Sequence, residues 1–172
     1  MRFSYDDGGR KAAGFKGQTG DCVTRAVAIA TRQSYRDVYV AMNDLGKRER
    51  ASKRRRGKSS ARTGVYKPTV RRYLESIGWN FTPTMAIGSG CTVHLKDGEL
   101  PMGRLIVKVS KHEVAVIDGV IHDTHDPSRG GTRCVYGYFA NQVMDEALAA
   151  EARRVTPCIP AASLCVQGVS TL

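Results

Sequence analysis

The stretch His112-Glu113-Val114-Ala115-Val116-Ile117-Asp118-Gly119-Val120-Ile121-His122-Asp123 decides how the second half of the chain is built. Val114 and Val116 alternate with Ala115 and Ile117, the period of a strand, and Asp118-Gly119 is a two-residue turn whose positions both tolerate positive φ. With that turn as pivot, His112 faces His125 and Val114 faces Asp123, so Asp123 is a same-face diagonal neighbour of His112. Upstream, Leu105, Val107 and Val109 alternate with Ile106 and Lys108 as a preceding strand. Cys134 to Phe139 reads as a further strand, and Trp79 with Phe81 as a short one.

The first half has a different period. Val23, Ala26, Val27 and Ala30 recur at helical spacing after Asp21, a plausible N-cap, which predicts a helix from about Cys22 to Thr31. Ser34-Tyr35-Arg36-Asp37 resembles a capping box, and Val38, Ala41, Met42 and Leu45 form the buried stripe of a second helix. Pro68 suits a first helical position, followed by Val70, Tyr73, Leu74 and Ile77, with Gly78 closing a third helix. The glycine-rich first twenty residues read as an extended, turn-rich lead-in, and Val143, Met144, Ala147 and Leu148 as a late amphipathic helix. Helices first and an antiparallel sheet afterwards define an α+β domain. The expected boundaries are one domain over 1–156, a basic exposed insert at 46–64, and a flexible tail at 157–172.

Charge is concentrated rather than spread. Between Lys47 and Arg72 stand twelve of the 27 Lys and Arg but one of the 16 Asp and Glu, which leaves fifteen of each sign elsewhere. A protein built throughout to coat nucleic acid should be basic on several elements, and this one is not. The run Lys53, Arg54, Arg55, Arg56 and Lys58 predicts an exposed segment able to contact phosphates, an acidic substrate or a protein partner. Five cysteines, odd in number and free of any C-x-x-C pair, argue against a disulfide framework or a zinc knuckle and point to a reducing cytoplasm. No apolar run approaches the eighteen residues of a membrane span, and the first residues do not resemble a secretory leader.

Thiolate chemistry needs a cysteine whose ionised form is favoured, a base, and a group that orients the base. Cys22 opens a helix, where the partial positive charge of the N-terminus favours an anion. His112 is the candidate base and Asp123 the orienter, with Asp126 as the alternative. Gln18, four residues before Cys22, can place its amide beside the Cys22 backbone N–H as a donor to a developing oxyanion. Cys91 and His94 form a second Cys/His pair, but no helix start supports that thiol. His122, His125 and Asp126 carry H-x-x-H spacing, yet residues three apart on a strand point to opposite faces, so neither a metal nor another cofactor is expected.

Gln18, Cys22 opening a helix, His112 on a strand of the following sheet and a carboxylate one hairpin later together resemble the papain-like cysteine peptidase superfamily. The similarity is to its small bacterial branch, which includes bacteriocin-leader peptidases, and to phage or plasmid proteins with G-x-x-G-D-C and H-x-x-A-V-I-D-G-x-x-x-D patterns. It covers about Gln18 to Tyr138 and implies helices packed on a sheet with a cleft between them. It also implies Cys22 as nucleophile, His112 as base, Asp123 as orienter and Gln18 as oxyanion donor. The expected function is a cysteine hydrolase cleaving a peptide or isopeptide bond in a peptide or protein substrate; a deamidase would share this chemistry. The rival expectation is a papain-like fold without turnover that binds nucleic acid or a host protein through its basic insert.

Overall fold

The computed structural model describes residues 1–17, 19–50 and 57–141, together with Val143 and Glu146. Between Met1 and Asn141 the described residues form three helices, α1 (Cys22–Thr31), α2 (Tyr35–Lys47) and α3 (Lys67–Ser76), set among six strands: β1 (Arg2–Tyr5), β2 (Asn80–Pro83), β3 (Arg104–Val109), β4 (His112–Ile117), β5 (Val120–Asp123) and β6 (Val135–Ala140). The strands form a single sheet in the order β1-β5-β4-β3-β6-β2. The α+β class therefore stands. The compact unit runs from Met1 to Gln142. Of the residues beyond it, Val143 and Glu146 are helical and exposed; the rest of the expected late helix and the expected tail at 157–172 lie outside the described residues.

The hairpin forms as its residues dictate. Asp118 and Gly119 both take positive φ, 47° and 75°, and Ala115 pairs with His122, Val116 with Ile121 and Ile117 with Val120. Alternation then sends Val114, Val116, Leu105, Val107, Val109, Ile121 and Val135 to one face, where they close over Leu95. Arg104, Ile106 and Ala115 lie on the opposite face, buried against α1. From Val23 to Ala30 every residue of α1 is buried, so this helix is the centre of the molecule. Arg104 donates to the carbonyls of Ile29 (2.5 Å) and Ala30 (2.6 Å), placing a cation on the orphan acceptors at the C-terminal end of α1. At α2 the Ser34 hydroxyl accepts from the Asp37 amide as the capping pattern predicts.

Three expectations are corrected. The sheet is mixed, not antiparallel, because β1 adds to β5 in parallel, Arg2 against Val120 through Tyr5 against Asp123. All four β1 residues are exposed, so this edge strand has no buried face and shows no alternation of the kind that marks the others. The segment 46–64 is not an exposed loop throughout. Gly46 belongs to α2, while Ser59 and Ala61 are buried. Glu49 binds Ser59 through both its amide (2.8 Å) and its hydroxyl (2.5 Å), and Thr24 of α1 donates to the Ala61 carbonyl (2.9 Å). Polar side chains thus hold this stretch where an apolar stripe was sought. Lys58 is exposed, and Lys53, Arg54, Arg55 and Arg56 lie outside the described residues. Finally, Cys91 and Cys134 form a disulfide, although the cysteine spacing argued for free thiols. The bridge between His94 and Cys134 brings the two segments together across 43 residues of sequence, a proximity that spacing alone does not encode. Cys22 is free, and Cys158 and Cys165 lie outside the described residues.

Gly46 is where the returning segment comes closest to α2. A Cβ there would stand 2.2 Å from the Ser59 carbonyl oxygen, a backbone atom that cannot move aside alone. Gly46→Ala is expected to lower unfolding stability by about 2 kcal/mol despite the better helix propensity of alanine, measured by urea denaturation. An unchanged or raised midpoint would show that the 57–64 segment does not pack there.

Candidate functional site

Cys22 is the first residue of α1, so its backbone N–H points out of the helix without an intrahelical acceptor. Its side chain is half-buried. Asp21 occupies the N-cap position, as expected, but its carboxylate makes no capping hydrogen bond. It is buried and bound instead by Arg25, by the Arg10 guanidinium (3.0 Å) and by the Tyr35 hydroxyl (2.6 Å). Burial and the adjoining Asp21 charge push the Tyr35 phenol above its ordinary range, which keeps it a hydrogen-bond donor.

His112 begins β4 directly after Lys111, which takes φ 57° in the tight turn from β3. Asp123 ends β5, and the hairpin register sets it diagonally from His112. The imidazole Nε2 lies 2.5 Å from Asp123 Oδ2, which leaves Nδ1 as the ring nitrogen for the Cys22 thiol, close enough to act on the histidine's titration. The other carboxylate oxygen, Oδ1, accepts from the Thr124 amide (2.7 Å) and from Arg25 Nη2 (3.1 Å). Burial alone would lower the His112 pKa, but the hydrogen bonds and charges of Asp123 and Cys22 outweigh it and push it up to about 9. Burial acts to raise Asp123, and His112, Thr124 and Arg25 outweigh it, so its carboxyl stays below the usual range. A chain of contacts thus runs Asp21, Arg25, Asp123, His112, with Cys22 on the same cleft.

Cys22 and His112 open onto a cleft of about 790 Å³, also lined by Thr19, Lys67, Lys108 and Tyr136. Lys108 lies 3.7 Å from Glu113, whose carboxyl is fully buried and pushed above its ordinary range by that burial. Thr63, Gly64 and Val65 form part of the same wall, so the segment following the basic run reaches the cleft.

Cys22, His112 and Asp123 are therefore together. Gln18 lies outside the described residues, but the segment that carries it is held on both sides. Arg10 donates to the carbonyls of Lys16 (3.0 Å) and Gly17 (2.7 Å), and the Gly20 amide donates to the Arg62 carbonyl (3.0 Å). Asp126 accepts from the Ser128 amide (2.8 Å) within its own loop, while Asp123 holds His112. The H-x-x-H residues do not converge, because the His122 ring lies 3.5 Å from Asp6. Instead His112, Asp123 and His125 place one ligand atom each within 4.8 Å of one another, but both Asp123 oxygens are already engaged. Cys91 does meet His94, at 3.5 Å, with its sulfur bonded to Cys134. Sequence reading missed Arg25, Arg10 and Tyr35. The available signal was Asp21 with Arg25, an i,i+4 pair of opposite charges on a helix otherwise lined with apolar residues.

Comparison of the chain with protein-family models, curated proteins and solved structures finds no match.

The histidine titration separates the two carboxylates. Because the folded pKa of His112 lies above its ordinary 6.5, its pairing stabilises the fold fully below that value and is lost as pH rises through about 9. Asp123→Asn is expected to bring the His112 NMR titration down towards the ordinary histidine range, and Asp126→Asn to leave it near 9. A downward shift in Asp126→Asn alone would identify Asp126 as the partner.

Proposed function

We propose that the protein is a papain-like cysteine hydrolase that cleaves a peptide or isopeptide bond. The observation that carries this reading is the His112 imidazole, held by Asp123 on one nitrogen and available to Cys22 on the other, at the edge of an open cleft. In this reading His112 takes the Cys22 proton, and the resulting imidazolium faces the sulfur.

In the proposed reaction the Cys22 thiolate attacks the carbonyl carbon, and the carbonyl π electrons move onto oxygen. The Cys22 backbone N–H at the helix start and the Gln18 amide are the donors proposed for that oxyanion. Collapse of the tetrahedral species expels the amine, which takes its proton from His112, and leaves a thioester on Cys22. Neutral His112 then removes a proton from water as the water attacks the thioester. Release of the acid returns the thiolate and the imidazolium. Asp123 keeps Nδ1 aimed at the sulfur throughout, and His112, the Thr124 amide and Arg25 keep Asp123 ionised.

Lys67, Lys108 and Lys111 line the cleft, which favours substrates carrying carboxylates near the scissile bond. The run from Lys53 to Arg56 and Lys58 adds positive charge in the sequence shortly before the cleft residues Thr63 to Val65. Within this reading the run serves substrate attraction rather than a separate nucleic-acid function. In a library of short peptides, hydrolysis is expected for acidic sequences before basic ones, with kcat/KM falling as salt rises. Cys22→Ala is expected to reduce kcat by at least about a thousandfold with the fold intact, and Cys22 to be the thiol that iodoacetamide labels first at neutral pH. Hydrolysis unaffected by Cys22→Ala, or no hydrolysis of any peptide, isopeptide or side-chain amide by the wild type, overturns the proposal.

A further inference from the structure

A second thiol site stands apart from Cys22. The Cys91 side chain is exposed, and its sulfur is bonded to Cys134. His94 Nε2 lies 3.5 Å from Cys91 Sγ, while the other ring nitrogen, Nδ1, lies 3.2 Å from Glu99 Oε2. The same carboxylate accepts from the His94 backbone amide, and its second oxygen is 2.7 Å from Lys96 Nζ. Those contacts hold the Glu99 carboxyl down to about 2, so it stays an anion facing the imidazole. A disulfide that serves only as a staple needs no imidazole at one sulfur. Here a sulfur, an imidazole and a carboxylate contact one another in turn, with the Cys91 side chain exposed and that of Cys134 half-buried.

We propose that Cys91–Cys134 is a thiol–disulfide exchange site for low-molecular-weight thiols of the glutathione class, with His94 as proton donor to Cys91 and Glu99 as positioning residue. The incoming thiolate attacks Cys134 Sγ and forms a new S–S bond there. The Cys91–Cys134 bond breaks, and Cys91 leaves with the electron pair and takes the proton of the His94 imidazolium. A second thiolate attacks the incoming sulfur of the mixed disulfide and frees Cys134 as a thiolate, which takes its proton from solvent. Two thiols have then been oxidised to one disulfide and the protein disulfide reduced by two electrons. The geometry favours Cys91 as leaving group because that sulfur has the His94 ring nitrogen beside it. In the reverse direction Cys91 is the attacking thiolate and His94 accepts its proton. Cys134 lies two residues before Tyr136, so exchange acts on the strand that also supplies a wall of the cleft.

The test uses the full chain carrying Cys22→Ala, Cys158→Ala and Cys165→Ala, so that only this pair is present. Glutathione is added at neutral pH, the reaction is stopped with acid, and free thiols and mixed disulfides are mapped by mass spectrometry. Expected are no alkylation before glutathione, then glutathione on Cys134 with Cys91 free. His94→Asn is expected to slow reduction by about tenfold or more, with the difference shrinking as pH rises. Glu99→Gln should slow it in the same direction, which keeps the test decisive if His94→Asn fails to fold. Alkylation of both cysteines in oxidised glutathione, glutathione found on Cys91, or an unchanged rate in a folded His94 or Glu99 variant would each overturn the proposal.

Discussion

The Arg25 guanidinium is the charge on which the first and last parts of the site depend. It lies buried between Asp21, one turn earlier on its own helix, and Asp123, 98 residues later at the end of β5. Two carboxylates at that depth would each suffer a large desolvation penalty without a cation between them. His112, the Thr124 amide and Arg25 keep Asp123 charged, and a charged Asp123 raises the affinity of His112 for its proton. The helix that presents the thiol also carries the cation that stabilises the carboxylate behind the base, so displacement of α1 along the sheet would disturb both together.

Much of this was legible in the sequence. The helix at Cys22, the Ser34 cap, the Asp118-Gly119 turn and the diagonal relation of Asp123 to His112 all follow from local chemistry or from the period of two. Less visible were features set by partners distant in sequence. β1 carries no alternation because it buries neither face, and nothing local to Arg2–Tyr5 announces that it will pair with β5. Likewise Ser59 and Ala61 sit in a polar, basic stretch, and only Glu49 and Thr24 explain their burial. The disulfide needed a bridge between His94 and Cys134 that no spacing rule supplies.

The segment that follows the basic run in sequence is part of the site. Gly20 donates to Arg62, Thr24 to Ala61, and Thr63 to Val65 reach the cleft, so this segment is clasped to the start of α1.

The hairpin has a consequence for the order in which the site comes into being. His112 and Asp123 are eleven residues apart and joined by a tight turn, so their contact closes on the timescale of hairpin formation, about 1–10 μs. Cys22 is ninety residues from His112, and its approach requires α1 to dock on the sheet, a step whose loop-closure entropy makes it slow. During synthesis the helix bearing the thiol emerges long before the strand bearing His112 exists. His112 and Asp123 therefore mature as a local unit, and the sulfur meets them only when the long-range fold is complete. A nascent or partly unfolded chain thus carries the thiol without the imidazole.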